Sequence, residues 1–161
     1  MVTEPFLSLR DLSYKTVDWE TVKEWRSDLP ALEDANCLYI SGPLEVFDAK
    51  MPNLEDAFYM FSYIESLRSF KSELPSLTNA SGMFHDCSGL TSFKSNMPPG
   101  LTTNADWMFN GCKLDIESVE RISRTIAICT GEDEDAKTID LGVSKELEGD
   151  ETLNGYIEVM S

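Results

Sequence analysis

The sequence is short of the groups that most chemistry requires. It holds one histidine, four cysteines and 13 basic residues against 29 acidic ones in 161 positions, for a net charge of −16. Nucleic acid and anionic bilayers are held by clustered Lys and Arg, so neither is expected as the main partner. No run of about 18 apolar residues occurs, so no insertion into a membrane is expected within this chain. The opening Met-Val-Thr-Glu-Pro-Phe-Leu has no basic region and no apolar one. It does not read as a signal peptide, and an exported parent would carry its signal outside this chain. There is no glycine-rich phosphate loop. Cys37, Cys87, Cys112 and Cys129 include no CxxC pair and are too sparse for a disulfide scaffold. All four are expected as small buried hydrophobes.

What is present is enough apolar material for a core. Hydrophobic residues make up 42% and aromatics 10%, which excludes wholesale disorder and fits one domain or one module of a longer protein. The apolar residues repeat. Pro30, Pro52, Pro75 and Pro98 are separated by 22, 23 and 23 positions. Aligned on them, Leu32, Leu54, Leu77 and Leu101 share a column, and so do Ala35, Ala57, Ala80 and Ala105. Leu38, Met60, Met83 and Met108 precede Tyr39, Phe61, Phe84 and Phe109. Leu44, Leu67 and Leu90 stand three before Phe47, Phe70 and Phe93, and Val22 with Trp25 extends that pair backwards.

A period near 23 falls within the range of roughly 20–29 residues found in leucine-rich repeats. Each copy would be a strand plus a turn or short helix that cannot bury its apolar side alone, and stacking buries like on like in continuous columns. The shared alanine suits a tight spot between coils. The expected architecture is a β/α solenoid, a right-handed leucine-rich-repeat superhelix of about four coils. Leu-x-x-Phe-x-Ser (Leu67 to Ser72, Leu90 to Ser95) is its expected main strand.

Ala-x-x-Met-Phe-x-x-Cys-x-x-Leu, as in Ala80 to Leu90, resembles the repeat of BspA-like leucine-rich-repeat proteins. The resemblance covers residues 22–114. This sequence has Met-Phe-x-x-Cys where many members have Ala-Phe-x-x-Cys, Ile64 in one cysteine position, and a first copy one residue short between Tyr39 and Leu44.

Solenoids need capped ends. Residues 1–21 are expected as an N-terminal cap and 115–161 as a C-terminal one. In the latter, Asp115 is placed to cap a helix whose apolar positions are Ile116, Val119, Ile122, Ile126 and Cys129, with Gly131 as its stop. An acidic loop Glu132–Lys137, a strand Thr138–Val143 and a further helical start from Ser144 would complete it. This order resembles the closing unit of gut-bacterial and phage proteins with such repeats. They usually continue to a Gly-Trp and one more strand, so a trimmed or variant cap is expected.

Any triad or Cys–His dyad would have to use His85, two residues before Cys87 and in a variable column with Ser62 and Asn110. No catalytic residue is assigned. Zinc at His85, Asp86, Cys87 and Cys112 lacks paired ligand spacing, and Glu132–Asp135 lacks the alternation of a calcium loop, so no metal and no cofactor are expected. Asn79-Ala80-Ser81 is a glycosylation sequon that matters only in a eukaryotic secretory path.

The exposed strand positions remain. If Leu and Phe point inward, alternation exposes Glu24, Val46, Ser69 and Ser92 in one ladder and Arg26, Asp48, Lys71 and Lys94 in another. Neighbours on the second ladder alternate in sign until Lys71 and Lys94, which makes that pair a candidate spot for an anion or acidic partner. The candidate partner-binding residues are therefore Arg26, Asp48, Ser69, Lys71, Ser92 and Lys94. The resemblance implies a non-enzymatic binding module for a protein or host-surface ligand, in a bacterial cell-surface or secreted adhesin and outside the cell as part of a longer protein. Alternatives are a structural or receptor-contacting part of a bacteriophage tail and, third, an enzyme in an unfamiliar cap.

The charge makes one prediction. The sequence pI is near 4.2, so protonation of the carboxylates below about pH 4.5 removes the repulsion between molecules. Light scattering should rise steeply between pH 5 and pH 4; a flat trace would contradict this.

Overall fold

The computed structural model describes residues 8–97, 101 and 105–130, with side chains of the final helix described as far as Arg124. Among the described residues the elements are six short strands and one helix: β1 Thr16–Asp18, β2 Glu24–Trp25, β3 Tyr39–Ser41, β4 Val46–Asp48, β5 Ser69–Lys71, β6 Ser92–Phe93 and α1 Ile116–Thr130. The expected main strands are thus present but reduced to two or three residues around each Phe.

Among the described residues all strand pairing is parallel. One sheet runs β2-β4-β5-β6, and a smaller one pairs β1 with β3. The registers are Glu24 on Val46, Val46 on Ser69 and Ser69 on Ser92. The chain therefore re-enters the same ladder every 22 or 23 residues. A third ladder of single bridges joins Asp11, Asp34, Asp56 and Asn79. The segment expected as an N-terminal cap is consequently hydrogen-bonded in the same register from Asp11 onward, with the Leu12 amide donating to Asp34 O at 2.8 Å.

Two stacks of phenylalanine run through the interior. Phe47, Phe70 and Phe93 lie 5.5 and 5.7 Å apart with ring planes within 8°. Phe61, Phe84 and Phe109 lie 5.7 and 5.4 Å apart with planes equally parallel. The stacks meet edge to face, as in Phe70 against Phe84 at 4.8 Å and 67°. Parallel rings follow from the parallel strands beneath them, and the edge contact sets the positive rim of one ring against the negative face of the next. Leu32, Leu54 and Leu77 are fully buried beside them, as are Ala35, Ala57 and Ala80.

Tyr39 departs from expectation. It stands in the Phe61 column by alignment but is 59% exposed, while Ile40 is buried. The first copy is one residue short, so the chain runs extended through β3, and strand alternation turns Ile40 inward and Tyr39 outward.

Each repeat also contains a turn that the hydrophobic columns do not show. Asp11, Asp34, Asp56 and Asn79 accept the amide two residues on, at 2.8, 2.8, 2.9 and 3.2 Å. Three residues after them, Tyr14, Cys37, Tyr59 and Gly82 take a left-handed backbone with φ of 53, 51, 53 and 63°, and Trp107 does so in the last repeat at 58°. Only one of these five is glycine. A Cβ on Gly82 would lie 2.6 Å from the Tyr59 ring, so this glycine leaves room for that ring.

Helix α1 packs against β6. The Asp115 carboxylate accepts the Ser118 amide at 2.8 Å, as an N-cap does. Val119 and Ile122 are buried, whereas Ile116 is 41% exposed and does not join the apolar face expected of it. Ser118 is buried instead, and its hydroxyl accepts the Phe93 amide at 2.8 Å. A helix side chain thus takes the place of a further strand's carbonyl and leaves β6 without an open edge at that point. The roles expected of Ile126, Cys129, Gly131, the acidic run Glu132–Asp135 and the later strand and helix lie outside the described residues.

Since Leu67 and Phe70 have no exposed surface, Leu67→Ala or Phe70→Ala should cost about 2–5 kcal/mol in denaturant unfolding. A loss well under 1 kcal/mol would show that the stacks do not hold the repeats together.

Candidate partner-binding face

The sheet presents its outer side through the residues flanking each buried ring. Glu24, Val46, Ser69 and Ser92 stand in register, and Asp48 lies opposite Lys71 on the other flank. The Arg26 guanidinium reaches Asp48 at 3.3 Å and Glu24 at 3.0 Å, and Lys71 reaches the second Asp48 oxygen at 3.5 Å. One carboxylate therefore bridges cations from the repeats on either side of it. Two residues beyond Phe47, Phe70 and Phe93 the chain turns Ala49, Ser72 and Ser95 inward, and the Ser95 hydroxyl accepts the Ser72 amide at 2.8 Å.

The sequence of charges breaks at the last step. Lys94 donates its amide to Phe70 O at 2.8 Å, but among the described residues no carboxylate pairs with its ammonium. Beside it lies a cleft of about 210 Å³, lined by Asp48, Lys50, Lys71, Glu73, Lys94 and Arg121 among others. Four cations and two carboxylates thus face one small space. Lys50 pairs with Glu73 at 3.2 Å and Arg121 with Glu117 at 3.4 Å. A second hollow, of about 350 Å³, adjoins it at Asn96 and Arg121 and is lined also by Glu117 and Arg124. The contribution of Arg121 from the helix was not visible in the repeat columns.

Elsewhere, ion pairs join each repeat to the next. Arg10 meets Glu33 and Lys23 meets Glu45, each at 2.8 Å. Lys23 holds the Glu45 carboxyl below the usual carboxylate range, by hydrogen bond first and charge second, and Glu45 raises Lys23 in the same way. These groups are solvated, and such pairs set register more than stability.

His85 and Cys87 do not form a dyad. The Cys87 thiol is fully buried and donates to Phe61 O at 2.9 Å, while the imidazole lies 5.6 Å from both the Tyr59 and Tyr63 rings. Its Nδ1 is 3.3 Å from an Asp86 oxygen but not aligned for a hydrogen bond. Among the described residues, no three His, Cys, Asp or Glu side chains converge where a metal ion could sit.

Cys112 repeats the Cys87 contact one step later, donating to Phe84 O at 3.2 Å. Both are free thiols. Cys37 differs from the expected core role: it is only partly buried and sits at a left-handed turn. Burial raises its thiol above the usual range, with the Asp56 charge adding to this. The Cys129 side chain lies outside the described residues.

Compared with family models, with curated proteins and with solved structures, the chain matches none.

The thiols predict a pH dependence. Burial pushes Cys87 up to about 12 and Cys112 up as well. Above the ordinary thiol range of about 8.5, the unfolded chain loses these protons while the folded chain keeps them, so folding weakens as pH rises. Tm should fall between pH 9 and pH 11, and less so in a Cys87→Val/Cys112→Val variant. Iodoacetamide at pH 8 should label Cys87 and Cys112 only after denaturation. Labelling of either in the folded protein, or equal pH slopes for the two proteins, would contradict this.

Proposed function

We propose that this chain is a right-handed solenoid of leucine-rich-repeat type whose task is binding rather than catalysis. Its outer sheet face meets a protein on a host surface, and it works as a module of a bacterial cell-surface or secreted protein. The observation that carries this reading is the outward-facing ladder, with Glu24, Arg26, Lys71 and Lys94 exposed and Val46, Asp48, Ser69 and Ser92 half-buried. Glu24, Val46, Ser69 and Ser92, with Arg26, Asp48, Lys71 and Lys94 beside them, are set out one per repeat on strands held from below by stacked rings. A rigid row of small and charged side chains loses little conformational freedom on docking, which is what a pre-formed interface needs. Among the described residues, no helix is long and apolar enough to cross a membrane.

The test is saturable binding of the fluorescently labelled chain to epithelial cells. Ser69→Arg/Ser92→Arg, which crowds the middle of the ladder without touching the core, should weaken it about tenfold or more, as loss of central contacts does. Equal binding by wild type and variant, with both folded by circular dichroism, would overturn this reading.

A further inference from the structure

We propose that the cleft between the last two repeats and helix α1 is an oxyanion subsite that takes the side-chain carboxylates of an acidic segment in a partner protein. The proposal rests on the binding reading above and names the chemistry of one part of that face.

The structure contains its own precedent one step away. Asp48 sits between Arg26 and Lys71 and accepts from both. At the next step the same strand position brings Lys71 next to Lys94, and among the described residues none stands between them as Asp48 does between its neighbours. Adjacent like charges across paired strands are destabilising. Among the described residues the Lys94 ammonium makes no ion pair, and its hydrogen bond to Phe70 O is made by the backbone. A carboxylate supplied from outside would occupy the position that Asp48 holds in the preceding repeat, and Arg121 lines the same cleft from the helix side. Three separate stretches of sequence, β5, the residue that follows β6, and α1, thus contribute cations to one site.

Charge restricts the occupant. The chain as a whole carries −16, so an extended polyanion such as nucleic acid or an anionic bilayer meets repulsion over most of the surface. Screening confines attraction to roughly 8 Å in physiological salt, so a short acidic stretch senses the local excess of cations. The cleft of about 210 Å³ is open to solvent and adjoins the second hollow of about 350 Å³, so the one or two carboxylate side chains of a short acidic segment can enter it.

The experiment is a titration of the whole ¹⁵N-labelled chain with hexaglutamate at low salt, followed by amide shifts, with inorganic phosphate as a parallel arm. The expected result is a set of shifts confined to Lys71, Ser72, Lys94, Ser95, Asn96 and Arg121 and weakened by added salt. Lys94→Glu should reduce affinity about tenfold or more, as reversal of a charged contact does, whereas Lys113→Glu, an equal charge change away from the cleft, should not. Lys94→Glu should also keep or raise Tm, since it replaces a like-charge neighbour of Lys71 with an opposite one; a merely structural lysine would not behave so. Shifts with phosphate but not hexaglutamate would overturn the carboxylate assignment. Absent or scattered shifts, or equal losses in the two variants, would overturn the subsite. If cell binding still depends on Ser69 and Ser92 in that event, the ladder reading stands and only the cleft fails.

Discussion

Everything in the array depends on the two phenylalanine stacks and their edge-to-face contact. A ring can lie flat on its neighbour only if the strand beneath it has advanced by one strand spacing without rotating. The 6–8° between successive planes shows how closely this is met. The requirement falls on the strands and turns that carry the rings and not on the loops between them: Phe84 and Phe109, 25 positions apart against 23 for Phe61 and Phe84, still stack within 6°. It also explains why the polar ladders on the outside are in register. They are the reverse side of strands whose inner side is already aligned.

The columns of Leu, Ala, Met and Phe were legible because burial selects residue type at a fixed spacing, and those columns are the core. The charge ladder was legible for the same reason, by alternation from buried positions. Tyr39 was misread because an alignment by residue type cannot show that a one-residue deletion converts a turn into a strand. The Asp34, Asp56 and Asn79 column was present in the sequence beside the alanine column, but side chains that bond their own turn carry no hydrophobic signal. Ser118 and Arg121 were harder still. A serine that replaces a strand carbonyl, and an arginine that reaches a cleft built mainly by another segment, acquire their roles only from how helix α1 packs on β6.

The outer face and the core are therefore under different rules. Inside, volume and ring orientation leave little freedom, so substitutions are felt at once. Outside, solvated ion pairs such as Lys23 with Glu45 are weak, and the identity of each residue is free to follow a partner. Lys94, whose ammonium has no ion-pair partner among the described residues, belongs to this second group.

The left-handed turns carry a consequence for how the protein folds. Tyr14, Cys37, Tyr59 and Trp107 adopt a backbone that costs an ordinary residue about 1–2 kcal/mol. In the described repeats that conformation is held by the neighbour: the Tyr14 amide donates to Asn36 O, that of Cys37 to Phe58 O and that of Tyr59 to Ser81 O. An isolated repeat would bear the conformational cost without the hydrogen bond that offsets it. Intrinsic repeat stability is thereby lowered and coupling between neighbours raised, the combination that makes a one-dimensional array melt as a unit rather than fray from its ends.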